Sequence, residues 1–178
     1  MGVKILMKKS HDKEEKPSKE LVLGKKMLAK GSVFFSEEPI YISTVLGSGV
    51  AVTIWDRSFR RGGMVHFLRP GDAKSTSVAE GYRGIIELLR TMKEYGSKRS
   101  DLLAQIYGGG KKTIDKMDSK SISEYNIKHA RKVLKHFHIP IISEDVGGIF
   151  GRKLIYNSFS NEMVIAKVNE IRDSDWLN

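Results

Sequence analysis

Three short apolar runs, Tyr41–Leu46, Val50–Trp55 and Met64–Leu68, lie close together in the chain, and little but glycine punctuates them. Runs this short and this rich in β-branched and aromatic residues read as strands. Gly47-Ser48-Gly49 divides the first two, giving either two strands or one strand bent at the glycines. Gly62-Gly63 leads into the third, which must stop before Pro70. Leu102–Tyr107 runs as a strand into Gly108-Gly109-Gly110. Ile139–Ile142 begins another, and Lys153–Tyr156 with Met163–Lys167 read as a closing pair around a polar turn at Ser158–Asn161.

Two segments carry helical periodicity instead. In Val78–Tyr95, Tyr82, Ile85, Ile86, Leu89 and Met92 recur at spacings of three and four, and Gly96 follows the end. The second helix is expected from about Ser123 to His138, with Ser121 and Glu124 at capping-box spacing and Pro140 beyond its end. Its apolar face is Ile127, Ala130, Val133, Leu134 and Phe137. About seven or eight clustered strands with two helices imply an α+β fold rather than a doubly wound parallel sheet. The 178 residues suit one domain. Residues 1–18, a mixed-charge run without periodicity, are expected to be a disordered tail; 19–168 form the domain, and 169–178 a short second tail that Trp176 and Leu177 either pin or leave exposed.

Cysteine is absent, which excludes disulfides, thiolate metal sites and a cysteine nucleophile. No run reaches the ~18–20 apolar residues that cross a bilayer, and no apolar signal core follows Met1, so a cytoplasmic protein without membrane insertion is expected. The net charge of +10 points to an acidic partner or simply to solvated lysines, which are scattered along the whole sequence. Lys128, Arg131, Lys132 and Lys135 would give the second helix a basic face, and nucleic-acid binding is a minor reading because interleaved aromatics are lacking. Gly108-Gly109-Gly110-Lys111-Lys112-Thr113 is not a phosphate loop, since Gln105 and Lys112 stand where that motif needs glycine and a hydroxyl residue. A turn requiring positive φ angles accounts for it better. His129, His136 and His138 lack the spacing and companions of a metal site, and no cofactor is expected. His66 sits mid-strand among apolar residues. Taken alone it reads as a satisfied core histidine. Beside the small-residue bend at 47–49, it becomes a base near a place where a nucleophile and an oxyanion site can meet.

At this point the order of motifs becomes informative. Val45-Leu46-Gly47-Ser48-Gly49-Val50-Ala51-Val52 resembles the Leu-Gly-Ser-Cys-Val-Ala-Val signature of the CheD family of chemoreceptor glutamine deamidases. Gly62-Gly63-Met64-Val65-His66 resembles that family's Gly-Gly-Met-x-His segment, which ends in proline, here Pro70. Ile106–Lys111, the helix-start stretch Ile122–Asn126, Ile139-Pro140-Ile141, and Glu144–Gly148 with Gly151-Arg152 continue the resemblance in family order over about 21–167. Several separate motifs in order are far more specific than any one of them.

The resemblance implies a CheD-like α/β sandwich and action on glutamine side chains of methyl-accepting chemotaxis receptors. In some bacteria it also implies a CheC-type phosphatase as a partner. The family chemistry is nucleophilic: a cysteine thiolate attacks the amide carbon, histidine moves the proton, ammonia leaves, and water releases glutamate from the thioester. His66 matches the family histidine, and Ser43 or Thr44 matches an upstream hydroxyl residue. Gly49 occupies the position of the cysteine, and Ser48 beside it points elsewhere. A chain whose cysteine has been replaced, a non-catalytic member that binds receptors or a phosphatase, and deamidation by another route all fit this departure. A second departure is Ile149, where a polar residue is expected.

Overall fold

The computed structural model describes residues 23–111 and 117–176, with side chains from 122 onward in the second stretch. The expected 1–18 tail, Thr113 and the Ser121 side chain lie outside the described residues. In chain order the strands are β1 (Gly24–Met27), β2 (Ser32–Ser36), β3 (Ile40–Leu46), β4 (Val50–Asp56) and β5 (Arg61–Phe67), followed by helix α1 (Gly81–Glu94). Then come β6 (Leu102–Gly108), helix α2 (Met117–His136), β7 (Ile141–Val146), β8 (Gly151–Asn157) and β9 (Met163–Val168). A short 3-10 turn, Asp173–Trp176, follows.

The strands form two sheets, one in the order β1-β3-β8-β9 and the other β2-β5-β4-β6-β7. Every pairing is antiparallel except β1 with β3 and β6 with β7. A parallel pair needs a long crossover, and α2 supplies it between β6 and β7. This is the α+β class that the clustered strands imply.

Period-two alternation splits the apolar residues of the five-stranded sheet into two cores. Val50, Val52, Ile54, Val65 and Phe67 pack with Ile85, Leu88, Met92, Ala130, Val133 and Leu134 of the two helices. Ala51, Met64 and Tyr107 face Ile42, Leu46, Leu154 and Tyr156 of the four-stranded sheet. The five-stranded sheet is therefore the middle of three layers, which is why β4 and β5 read as nearly continuous apolar runs.

Several boundaries differ from expectation. α1 starts at Gly81, not Val78, because Ala79 and Arg69 carbonyls accept from Leu68 N–H and Gly81 N–H and hold that stretch extended against the chain leaving β5. α2 begins at Met117, so Ser121 and Glu124 lie inside the helix and not at its start. It ends at His136, and His138, at φ 55°, turns the chain toward Pro140. β1 and β2 were not anticipated.

The bend at 47–49 proves to be the crossing between layers: β3 belongs to one sheet and β4 to the other. It therefore sits at the seam of the sandwich. β5 returns antiparallel to β4 with Phe67 opposite Val50, which brings His66 back beside the bend.

Candidate active site at the seam of the two sheets

Thr44 on β3 and His66 on β5 both point into the seam, and both are buried. Thr44 Oγ1 donates to the Leu28 carbonyl at 2.9 Å and lies 3.0 Å from His66 Nδ1. A threonine hydroxyl has one proton. With that proton on Leu28 O, the hydroxyl can only accept from the imidazole, so neutral His66 carries its proton on Nδ1. The lone pair is then on Nε2.

Nε2 faces position 49. A Cβ built on Gly49 would lie 2.8 Å from His66 Nε2, 3.3 Å from Cδ2 and 3.0 Å from the Phe67 carbonyl oxygen. The imidazole thus occupies part of the space a side chain at 49 would fill, and it would have to yield by a few tenths of an ångström. The backbone at Gly49 is outside the positive-φ region, so nothing in its torsion demands glycine.

Burial, and secondarily the charge of Lys30, lower the His66 pKa to about 4. The ring is therefore neutral at physiological pH, with a free lone pair directed at position 49. Trp176 stacks on it, with ring centroids 6.0 Å apart and planes inclined by 16°.

The bend is held almost entirely by backbone groups. Gly49 and Gly47 carbonyls accept from Gly109 N–H and Gly110 N–H at 2.8 and 2.9 Å. Gly147 N–H donates to the Gly108 carbonyl, and Lys111 N–H to that of Gly148. Gly108 and Gly109 have φ of 105° and 65°, the positive-φ turn expected of this segment. A Cβ at Gly108 would come within 2.5 Å of the Gly49 carbonyl oxygen, so close backbone approach is the second reason for glycine there. Gly147 and Gly148 are positioned through Arg152, which donates to Asp145 Oδ1 at 2.6 Å and to the Gly147 carbonyl at 2.9 Å. Asn126 of α2 adds a side-chain pin: its Nδ2 donates to the Ser48 carbonyl at 3.2 Å and to the Leu68 carbonyl at 3.0 Å. One fully buried amide thereby ties the bend to the end of the histidine strand.

Of the residues expected at the site, Thr44, His66 and Gly49 come together. Ser43 does not: its hydroxyl faces the other side of β3, 3.7 Å from Met27 Sδ. Ser48 is exposed. Next to the bend lies a recess of about 330 Å³ lined by Gly47, Ser48, Gly110, Ile149 and Ile171; Ile149 and its neighbour Phe150 are exposed apolar residues. Asn126 was legible as a motif residue but not as the pin of the bend. Lys30 and Trp176 carried no signal of proximity to His66.

The other described histidines, His129, His136 and His138, lie on or just after α2. His129 packs edge-on against Tyr82, and His136 against Phe137. Among the described residues no three His, Cys, Asp or Glu side chains cluster as a metal site would require. On the basic helix, Arg131 makes a bidentate pair with Glu144.

Comparison with known proteins follows the same lines. The family profile described as "CheD chemotactic sensory transduction" matches residues 69–167, a span that begins just after His66. A protein of Anaeromyxobacter dehalogenans named a probable chemoreceptor glutamine deamidase CheD is 34% identical over 131 residues, covering 73% of this chain and 77% of its own. Similarly named proteins of Methanococcus vannielii and Methanosarcina barkeri are 31% and 34% identical, covering 80% and 78% of this chain and 95% and 93% of theirs.

Proposed function

The chain belongs to the CheD family, and from that premise we propose that it serves chemotactic signalling as a receptor-recognising protein whose deamidation site is assembled but lacks its nucleophile. The observation that carries this reading is the alignment of Thr44, His66 and position 49. A hydroxyl accepts from Nδ1, fixing the tautomer, and Nε2 is aimed at the place a Cβ would occupy. That is the order of orienter, base and nucleophile that amide hydrolysis by a thiol requires.

With cysteine at 49, His66 Nε2 would take the thiol proton. The thiolate would attack the glutamine amide carbon, the imidazolium would return the proton to the departing nitrogen, and ammonia would leave. Water would then release glutamate from the thioester, with His66 again the base. Glycine supplies no attacking atom, and Ser48 faces solvent. As the sequence stands, the chain binds but does not convert.

Receptor modification regions rich in carboxylates suit a chain of net charge +10, which favours encounter with an acidic partner. In this reading the partners are receptor helices bearing glutamine and, in an adaptor role, a CheC-type phosphatase, for which the exposed Ile149 and Phe150 offer apolar surface. We place the protein in the cytoplasm, where receptor modification regions lie; no helix among the described residues is long and apolar enough to cross a membrane.

The test is a titration of a glutamine-bearing receptor cytoplasmic fragment with the chain, followed by calorimetry, with ammonia assayed in the same samples. Saturable binding that weakens with salt, without ammonia release, is the expected result. Ammonia release by the unaltered chain would contradict the reading, and so would the absence of saturable binding.

A further inference from the structure

Although His66 stands at the edge of the seam, it is only 2% exposed. Part of its surroundings comes from far along the chain. After β9 the backbone runs past the bend, and Ile171 packs beside it: Cβ atoms built on Gly47 and Gly151 would lie 3.5 and 3.0 Å from Ile171 Cδ1. Asp175 Oδ2 accepts from Arg172 N–H at 2.9 Å, closing the 3-10 turn, and Asp175 Oδ1 accepts from Lys153 Nζ at 2.5 Å. That pair fixes the turn to β8, and Trp176 is then delivered onto the His66 ring. Lys30 Nζ, from the β1–β2 connection, lies 5.9 Å from the centre of the indole ring.

Building on the receptor-recognition reading above, we propose that residues 169–176 form a strap over the His66–Gly49 site: Trp176 covers the His66 ring, and a partner side chain reaches that ring only when the strap lifts.

The attachments are of a kind that releases easily. No residue of Asp173–Trp176 is itself buried. The ion pair is 44% exposed at Lys153 and 12% at Asp175, and a single pair open to solvent at one end holds weakly. The cation–π contact from Lys30 is likewise at the surface end of its range. By contrast, the bend beneath is fixed by two backbone hydrogen bonds of 2.8 and 2.9 Å from Gly109 and Gly110, whose segment is tied in turn to Gly147 and Gly148, and by Asn126. A firmly tied bend under a more loosely held aromatic cover is the arrangement expected of a segment that opens locally while the fold persists.

The strap is read by the solvent access of His66, which stands apart from whether any deamidation is restored. Diethyl pyrocarbonate carbethoxylates neutral imidazole, and peptide mass spectrometry reports each histidine separately. The exposed His138 is the internal control. In Trp176→Ala and in Asp175→Lys, the second of which repels Lys153, His66 modification should rise about tenfold or more over the unaltered chain, with the His138 rate unchanged. A cooperative thermal transition verifies folding of each variant, and Asp175→Lys decides the matter if Trp176→Ala does not fold. The proposal is overturned if His66 in a folded variant reacts at the unaltered rate, or if His66 in the unaltered chain already reacts as fast as His138.

Discussion

Glycine at position 49 has a different physical status from the glycines around it. Gly108 and Gly109 sit at φ values that L side chains rarely adopt, whereas Gly49 does not. Its missing Cβ instead leaves the space that His66 Nε2 partly occupies. Thr44 completes the line from the other end of the ring, which the sequence left open between Ser43 and Thr44. In a Gly49→Cys background, Thr44→Val should lower the deamidation rate by roughly ten- to a hundredfold, because the Nδ1 proton loses its acceptor and the tautomer is no longer fixed. Ser43→Ala, on the opposite face of β3, should leave that rate within about twofold, because its hydroxyl touches only Met27. Kinetics of ammonia release on both variants decide between the two hydroxyls.

His66 also carries a pH signature. Its folded pKa of about 4 lies below the ordinary value of 6.5, so the unfolded chain binds the proton more readily. The stability difference is complete above pH 6.5 and is lost as pH falls toward 4, by an amount on the order of 3 kcal/mol. Urea denaturation across that window should show a falling midpoint. His66→Phe should flatten the slope, and an unchanged slope would show that the imidazole is not desolvated in the folded chain.

At the scale of elements, the bend depends on a side chain contributed from α2. Asn126→Ala removes the donor from two main-chain carbonyls in part-buried positions. A cost of about 2 kcal/mol is expected, a fall in Tm of roughly 4–8 °C. In a Gly49→Cys background the variant should also lose activity at temperatures where it remains folded, since the bend then moves independently of β5. An unchanged Tm would mean that water replaces the amide without loss. Legibility in sequence also divides by element. β4, β5 and β6 were readable because burial on both faces makes their apolar runs nearly continuous, and β3, in the outer sheet, because its run is rich in β-branched residues. β1 and β2 were not, since Gly24-Lys25-Lys26-Met27 is a mostly exposed edge strand whose lysines suit an edge and hide the periodicity. The start of α2 was misplaced because Ser121 and Glu124 imitate a cap inside a helix that begins at Met117.

For the whole molecule, the organising fact is the passage of the chain between layers at 47–49. It puts the bend at the seam, and the antiparallel return of β5 then brings His66 to it without any long-range coincidence. That is why this part of the site could be read from local order alone. The clasp from Gly108–Gly110 and Gly147-Gly148, and the cover from Trp176, depend on tertiary contacts between segments about 40 to 130 residues apart, and no local pattern reports such distances. On α2, Arg131 is already paired with Glu144, which takes one cation out of the basic face that a nucleic-acid backbone would need.

The central claim is that the machinery around position 49 is complete except for one sulfur atom. The most direct test incubates a glutamine-bearing receptor fragment with the unaltered chain, with Gly49→Cys, and with Gly49→Cys combined with His66→Ala. Ammonia release and the receptor's glutamine-to-glutamate mass change are then followed together. Conversion by Gly49→Cys alone is the predicted result. Conversion by the unaltered chain, or none by a folded Gly49→Cys that still binds the fragment, would contradict the account.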